Sequence, residues 1–178
     1  NMKVRFGVLV SSGSAFPYRD DLKAFDDLIR VIDGSGIEMI GTYDTSFIDG
    51  DAFVRATLIA KTAKNALVGL HPTNPITREP QIMAGFLASI DAMSEGCAFM
   101  DIASGDSAVY NIGHKAATRA RIEDYVTCVR ELLSKGEPTF QGRPQRVRWY
   151  QEAVKPNIPI TLCAEGPHPL HLGGCIFD

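Results

Sequence analysis

The sequence predicts an α/β protein with a parallel sheet, either an open doubly wound sheet or part of a (β/α)8 TIM-type barrel. Short apolar runs rich in β-branched residues alternate with stretches of helical period. The first four runs begin near residues 3, 37, 65 and 97, steps of roughly thirty residues, the length of one strand–helix unit. The residues just after each run are small, polar or glycine-containing, which suits a ligand lying across the carboxyl ends of the strands.

Taken in order, VRFGVLV (Val4–Val10) reads as a strand buried on both faces. Leu22, Phe25, Ile29 and Ile32 then form one helical face, with Asp20 or Asp21 to cap its start and Gly34 or Gly36 to end it. Ile37–Tyr43 is the second strand, Asp51 opens an alanine-rich helix to about Lys64, and Ala66–Leu70 is the third strand. Thr77 and Pro80 begin a helix striped by Ile82, Met83, Phe86, Ile90 and Met93. Cys97–Ala103 is the fourth strand, and Thr118 caps a helix through Ser134 with Ile122, Tyr125, Val129 and Leu132 inward. The alternation breaks between Lys135 and Tyr150, where a hairpin-like excursion is expected. Ile158–Ala164 is the fifth strand, a helix begins at Pro167, and a sixth strand begins at Cys175. The whole, residues 1–178, reads as one domain. Five and a fraction units fall short of a closed barrel, which takes about 250 residues. The expectation is therefore an N-terminal portion of a longer barrel, whose exposed parallel edge invites pairing in a homodimer.

Composition narrows the function classes. With 45% hydrophobic residues and a net charge of -3, the chain lacks the clustered cations of a nucleic-acid binder. No apolar run approaches the roughly 18 residues of a membrane span. Cys97, Cys128, Cys163 and Cys175 show no CxxC pair, so buried thiols of a cytoplasmic protein are expected rather than disulfides or zinc. His168 and His171 stand three apart on the last helix, but two histidines alone make a poor metal site, and none is expected.

The strand ends carry the candidate chemistry. Ser11–Ser14 follow the first, Asp44–Ser46 the second, HPTNP (His71–Pro75) the third, SGDS (Ser104–Ser107) the fourth and EGP (Glu165–Pro167) the fifth. Ser104, Gly105, Asp106 and Ser107 can turn several backbone N–H groups toward an anion, or simply form an Asx-turn. Arg119, in the first turn of a helix, opposes the macrodipole and so suits a phosphate clamp, with a solvated surface arginine as the alternative. Gly166 opens the last helix, where free N–H groups favour phosphate. His71 can donate a proton near neutral pH, or be a hydrogen-bonded loop histidine. Asp44 can bind a ring hydroxyl or act as a base, or cap its loop.

The segments NPITREP, SEGCAFMDIASGDSAVYNIG and IPITLCAEGPHPLHLGG, in that order, resemble the luciferase-like flavin-dependent oxidoreductases. That family includes bacterial luciferase, alkane-type monooxygenases and deazaflavin-dependent methylenetetrahydromethanopterin reductases. The resemblance implies a (β/α)8 barrel of which strands six to eight are missing here, with FMN or a 5-deazaflavin coenzyme at the carboxyl rim. It also implies a bulge and a non-proline cis peptide in the third strand near Gly69–Leu70. His71, Pro72, Thr73 and Asn74 would lie beside the ring. Ser104–Ser107, Arg119, Glu165 and Gly166 would hold the ribityl chain and phosphate. Relatives often carry arginine where Cys97 stands and glycine where Asp101 stands. The histidine that luciferases use after strand two is replaced by Asp44 or Thr45, which speaks against light emission and toward the deazaflavin-type reductases.

The resulting expectation is an oxidoreductase or monooxygenase in which the coenzyme carries the reaction on a small-molecule substrate. A flavin reductase is an expected partner. The rival readings are a flavin-binding fragment without turnover and an unrelated barrel lyase acting on a phosphorylated substrate.

Overall fold

The structure is a computed structural model and describes residues 5–11, 22–149, 157–164, 171 and 177. The caps expected at Asp20 and Asp21, and the expected rim residues Ser12–Ser14, Glu165 and Gly166, lie outside these. So do the helix from Pro167 and the sixth strand, but for His171 and Phe177.

Five strands form one parallel sheet in the order β1-β2-β3-β4-β7. They are β1 (Gly7–Leu9), β2 (Met39–Thr42), β3 (Leu67–Thr73), β4 (Ala98–Ile102) and β7 (Ile160–Leu162). The crossovers are α1 (Leu22–Gly34), α2 (Ala52–Thr62), α3 (Pro80–Met93), and α5 (Arg119–Leu133) after a single turn, α4 (Ser107–Tyr110).

The helix boundaries have local causes. Asp51 caps α2, accepting from the N–H groups of Phe53 (2.8 Å) and Val54 (3.2 Å). Pro80 starts α3, where a missing N–H costs nothing. Thr118 caps α5 by accepting from the Arg121 N–H. At the end of α1, buried Asp33 accepts hydrogen bonds from the N–H groups of Lys64, Asn65 and Ala66 and from the Asn65 amide. The carboxylate thus fixes the loop that feeds β3.

One face of the sheet is covered by the helices. Ile40, Val68, Leu70, Met100, Ile102 and Ile160 pack there against Ile29, Ile59, Met83, Leu87, Ile90 and Val129, all essentially inaccessible. Each such side chain contributes about 1.5–3 kcal/mol on burial. Along the other face runs a groove of about 660 Å³, lined by Gly7, Met39, Gly41, His71, Phe99 and Asp101 among others.

That face corrects one expectation. β1 is not buried on both faces: Gly7 and Leu9 are exposed, because β1 is the edge of the sheet and Leu9 points away from the helices. The hairpin lies inside the expected excursion, as β5 (Thr139–Phe140) paired antiparallel with β6 (Arg143–Pro144). Gln141 and Gly142 make its turn with φ of 50° and 73°. Phe140 is buried edge-on against Tyr125 of α5, and Arg143 pairs with Glu79 at 2.8 Å.

Candidate functional site at the carboxyl rim

The decisive local feature is in β3. The strand does not stop at Leu70 but continues through His71 and Pro72 to Thr73. Leu70 pairs with Met100 and Thr73 with Ile102, so β3 carries one residue more than β4 over this interval, a bulge. The cis bond sits at His71–Pro72, not at a non-proline bond near Gly69–Leu70; proline is where cis bonds are ordinarily found. Beyond the bulge Thr73, Asn74 and the β4 end face a common cavity.

This cavity, about 840 Å³, is bounded by the carboxyl ends of β2, β3, β4 and β7 and by the start of α5. Asp44, Pro72, Thr73, Asn74, Ser104–Ser107, Arg119 and Cys163 all line it. Its apolar wall comes from Ile48, Ala103, Ile122 and Leu162. Volume and mixed lining match a small-molecule or coenzyme site, which typically spans about 300–1,000 Å³.

The polar residues are held in different ways. Asn74 is buried and its Oδ1 accepts from the N–H groups of Ile76 and Thr77, both at 3.0 Å, an Asx-turn that shapes the loop. Gly105 has φ 91°, and a Cβ there would lie 2.9 Å from Val109 and 3.3 Å from Asn74. Only glycine folds this turn. Asp106 caps α4 through the Ser107 N–H. Arg119 is 57% exposed and donates to Glu123 one turn on, at 2.6 Å. Its guanidinium therefore stands at the mouth of the cavity, already neutralised in part.

The two expected catalytic residues sit in different settings. The Asp44 carboxylate is buried and forked by Arg78, whose Nε and Nη2 donate at 2.9 and 3.0 Å; the Thr73 hydroxyl donates at 3.0 Å. Both oxygens are engaged, so Asp44 acts as the anchor of the rim, and an unpaired base is not available there. Arg78 in turn lies over Phe53 at 3.9 Å, and Phe53 stacks on Phe86 with centroids 3.9 Å apart. Burial disfavours the Arg78 charge, but the hydrogen bond to Asp44 outweighs it and raises the guanidinium above its ordinary value.

His71 faces away from the cavity, because a residue inside β3 alternates to the groove face. There its Nδ1 pairs with Asp101 of β4, whose other oxygen accepts from the Thr161 hydroxyl of β7. The Asp101 hydrogen bond raises the imidazole above its ordinary value, against the opposing effect of burial.

Gly69 and Leu70 lie apart from the rim cavity. Leu70 is fully buried in the helix-side core. Gly69 lets β4 approach: a Cβ would sit 1.9 Å from the Phe99 carbonyl oxygen. Neither lines the rim cavity. Nothing in the sequence pattern marks Arg78 as the partner of Asp44, or links His71, Asp101 and Thr161. These partners are 30 or more positions apart and meet only through the tertiary fold.

Comparison with known proteins agrees with this geometry. Residues 3–178 match the family model described as luciferase-like monooxygenase. A 5,10-methylenetetrahydromethanopterin reductase of Methanolobus tindarius is 24% identical over 131 residues, 72% of this chain and 40% of that protein. The coenzyme F420-dependent tetrahydromethanopterin reductase of Methanopyrus kandleri superposes with a TM-score of 0.83 at 22% identity. It covers 99% of this chain and 55% of its own. An F420-dependent secondary alcohol dehydrogenase superposes with a TM-score of 0.73 at 21% identity, over 99% of this chain and 57% of its own. The chain thus spans about half the length of the proteins it matches. With a family model covering almost every residue, this chain belongs to the luciferase-like monooxygenase family.

Proposed function

We propose that the rim cavity holds the ring and side chain of FMN or a 5-deazaflavin, and that the protein is an oxidoreductase acting on a small organic substrate. The observation that carries this is the convergence of four strand ends on one cavity of about 840 Å³, with an apolar wall on one side and the Ser104–Ser107 turn on the other. The similarity to an F420-dependent reductase and an F420-dependent alcohol dehydrogenase favours the deazaflavin.

When bound, such a ring supplies the hydride or oxygen chemistry. The chain's own residues bind, orient and exclude water. Ile122 and Leu162 offer apolar contact, and the Ser104 and Ser107 hydroxyls offer hydrogen bonds to a polyol chain. Arg119 would exchange Glu123 for a phosphate. Asp44 and Arg78 keep the β2 and β3 ends in register beneath the ligand. With FMN, a flavin reductase would supply the reduced coenzyme.

Titration of the purified chain with FMN and with a 8-hydroxy-5-deazaflavin, followed by coenzyme fluorescence, tests the reading. Saturable binding is expected, weakened about tenfold by Arg119→Ala, equivalent to about 1.4 kcal/mol, and abolished by Ser104→Trp, which fills the cavity. Binding of neither coenzyme, or binding indifferent to both substitutions, would overturn it.

A further inference from the structure

We propose that His71, Asp101 and Cys163 form a binding site for one divalent cation of the zinc class, with Cys163 also standing at the wall of the rim cavity. The three come from adjacent strands, His71 on β3, Asp101 on β4 and Cys163 just after β7. Their donor atoms all lie within 4.8 Å of one another. Zinc binds imidazole nitrogen, carboxylate oxygen and thiolate sulfur at about 2.0–2.3 Å, so small side-chain adjustments bring all three onto one ion.

The charge balance points the same way. The Asp101 side chain is 4% exposed, and buried carboxylates are ordinarily paired or coordinate a metal. A dication shared with a Cys163 thiolate leaves the cluster neutral, with the thiol proton released to solvent. Thr161 then takes the outer role familiar from metal sites: its hydroxyl donates to the second Asp101 oxygen and fixes the carboxylate's orientation. His71 is half-exposed and Cys163 exposed, so an ion can enter from solvent, and a fourth position remains for water. Gly41 makes room for the imidazole, since a Cβ there would lie 2.5 Å from His71 Cβ.

Three residues separated by 30 and 62 positions produce no metal-spacing signal, which is why the sequence suggested none.

The test is anaerobic titration of the reduced chain with Co²⁺, then Zn²⁺. One equivalent of Co²⁺ is expected to give a thiolate-to-cobalt band in the near ultraviolet and tetrahedral bands in the visible, both removed by Zn²⁺. Cys163→Ser should abolish the ultraviolet band, while Cys97→Ser keeps it. His71→Gln and Asp101→Asn should each weaken binding at least tenfold, and Thr161→Val about tenfold. Circular dichroism and the urea midpoint establish that each variant is folded. A cobalt spectrum without a thiolate band, a band that survives Cys163→Ser, or affinity unchanged in His71→Gln would show a direct His71–Asp101 pair only and overturn the site. Coenzyme titration of the same samples is a separate readout, so loss of one does not imply loss of the other.

Discussion

Replacing Asp44 with asparagine is expected to destabilise the fold rather than remove a catalytic base. The Asp44 side chain is 3% exposed and that of Arg78 is 19% exposed, and the two share two hydrogen bonds near 2.9 and 3.0 Å. Asparagine keeps one acceptor but turns an amide N–H toward the guanidinium. Breaking a buried ion pair by removing one partner costs about 3–5 kcal/mol. Asp51, 3.3 Å from Arg78 and half-exposed, offsets part of this, so the lower end, about 3 kcal/mol, applies. At an m-value of about 2 kcal/mol/M the urea midpoint falls by about 1.5 M. The control is the same substitution made in an Arg78→Met background. There the cation that Asp44 neutralises is absent, and the loss should shrink to under about 1 kcal/mol. Denaturation of the four proteins by circular dichroism gives the coupling energy directly. A midpoint unchanged in Asp44→Asn, or an equal loss with and without Arg78, would refute the anchoring role. Retained stability with lost turnover would restore the general base.

Gly69→Ala places a methyl group 1.9 Å from the Phe99 carbonyl oxygen and 2.8 Å from its carbon. Since backbone must move, it should cost at least about 3 kcal/mol and lower the melting temperature by roughly 6–12 °C. Gly34→Ala, with nothing within 4 Å of the added carbon, is the control and should melt near the parent. Asp33 is held below its ordinary carboxylate value: burial opposes its charge, but the hydrogen bonds from Lys64, Ala66 and Asn65 outweigh it. Its contribution to stability is therefore full above the unfolded value and disappears as pH falls through the lower folded value. The stability gap between the parent and Asp33→Asn should be constant near neutrality and close only in the acid range, read by urea denaturation across pH.

The sheet was legible because its signals are local. The alternation of Val68 and Leu70, or the cap at Asp51, needs no distant partner to be recognised. The rim was legible for a topological reason: parallel strands all end on one side, so Asp44, Asn74 and Ser104 had to converge if the strands were right. What was hidden depends on pairing between segments. His71 looked like a loop residue because Pro72 ordinarily ends a strand, yet β3 accommodates it at the bulge. For Asp44 the sequence leaves a ligand contact, a base and a loop cap open, because Arg78 lies 34 residues on. The exposed side of β1 is not legible, because apolar content alone does not tell which face has a cover.

The single extra residue in β3 has a consequence for engineering. Upstream of it, alternate side chains serve the groove; downstream, Thr73 is redirected to Asp44 and the upper chamber. One continuous ribbon thereby furnishes two compartments, and its odd-numbered positions change allegiance midway. Deleting or inserting one residue between Leu70 and Thr73 would swap the furnishings of both compartments at once, whereas substitutions on either side of that point can be made in one without disturbing the other.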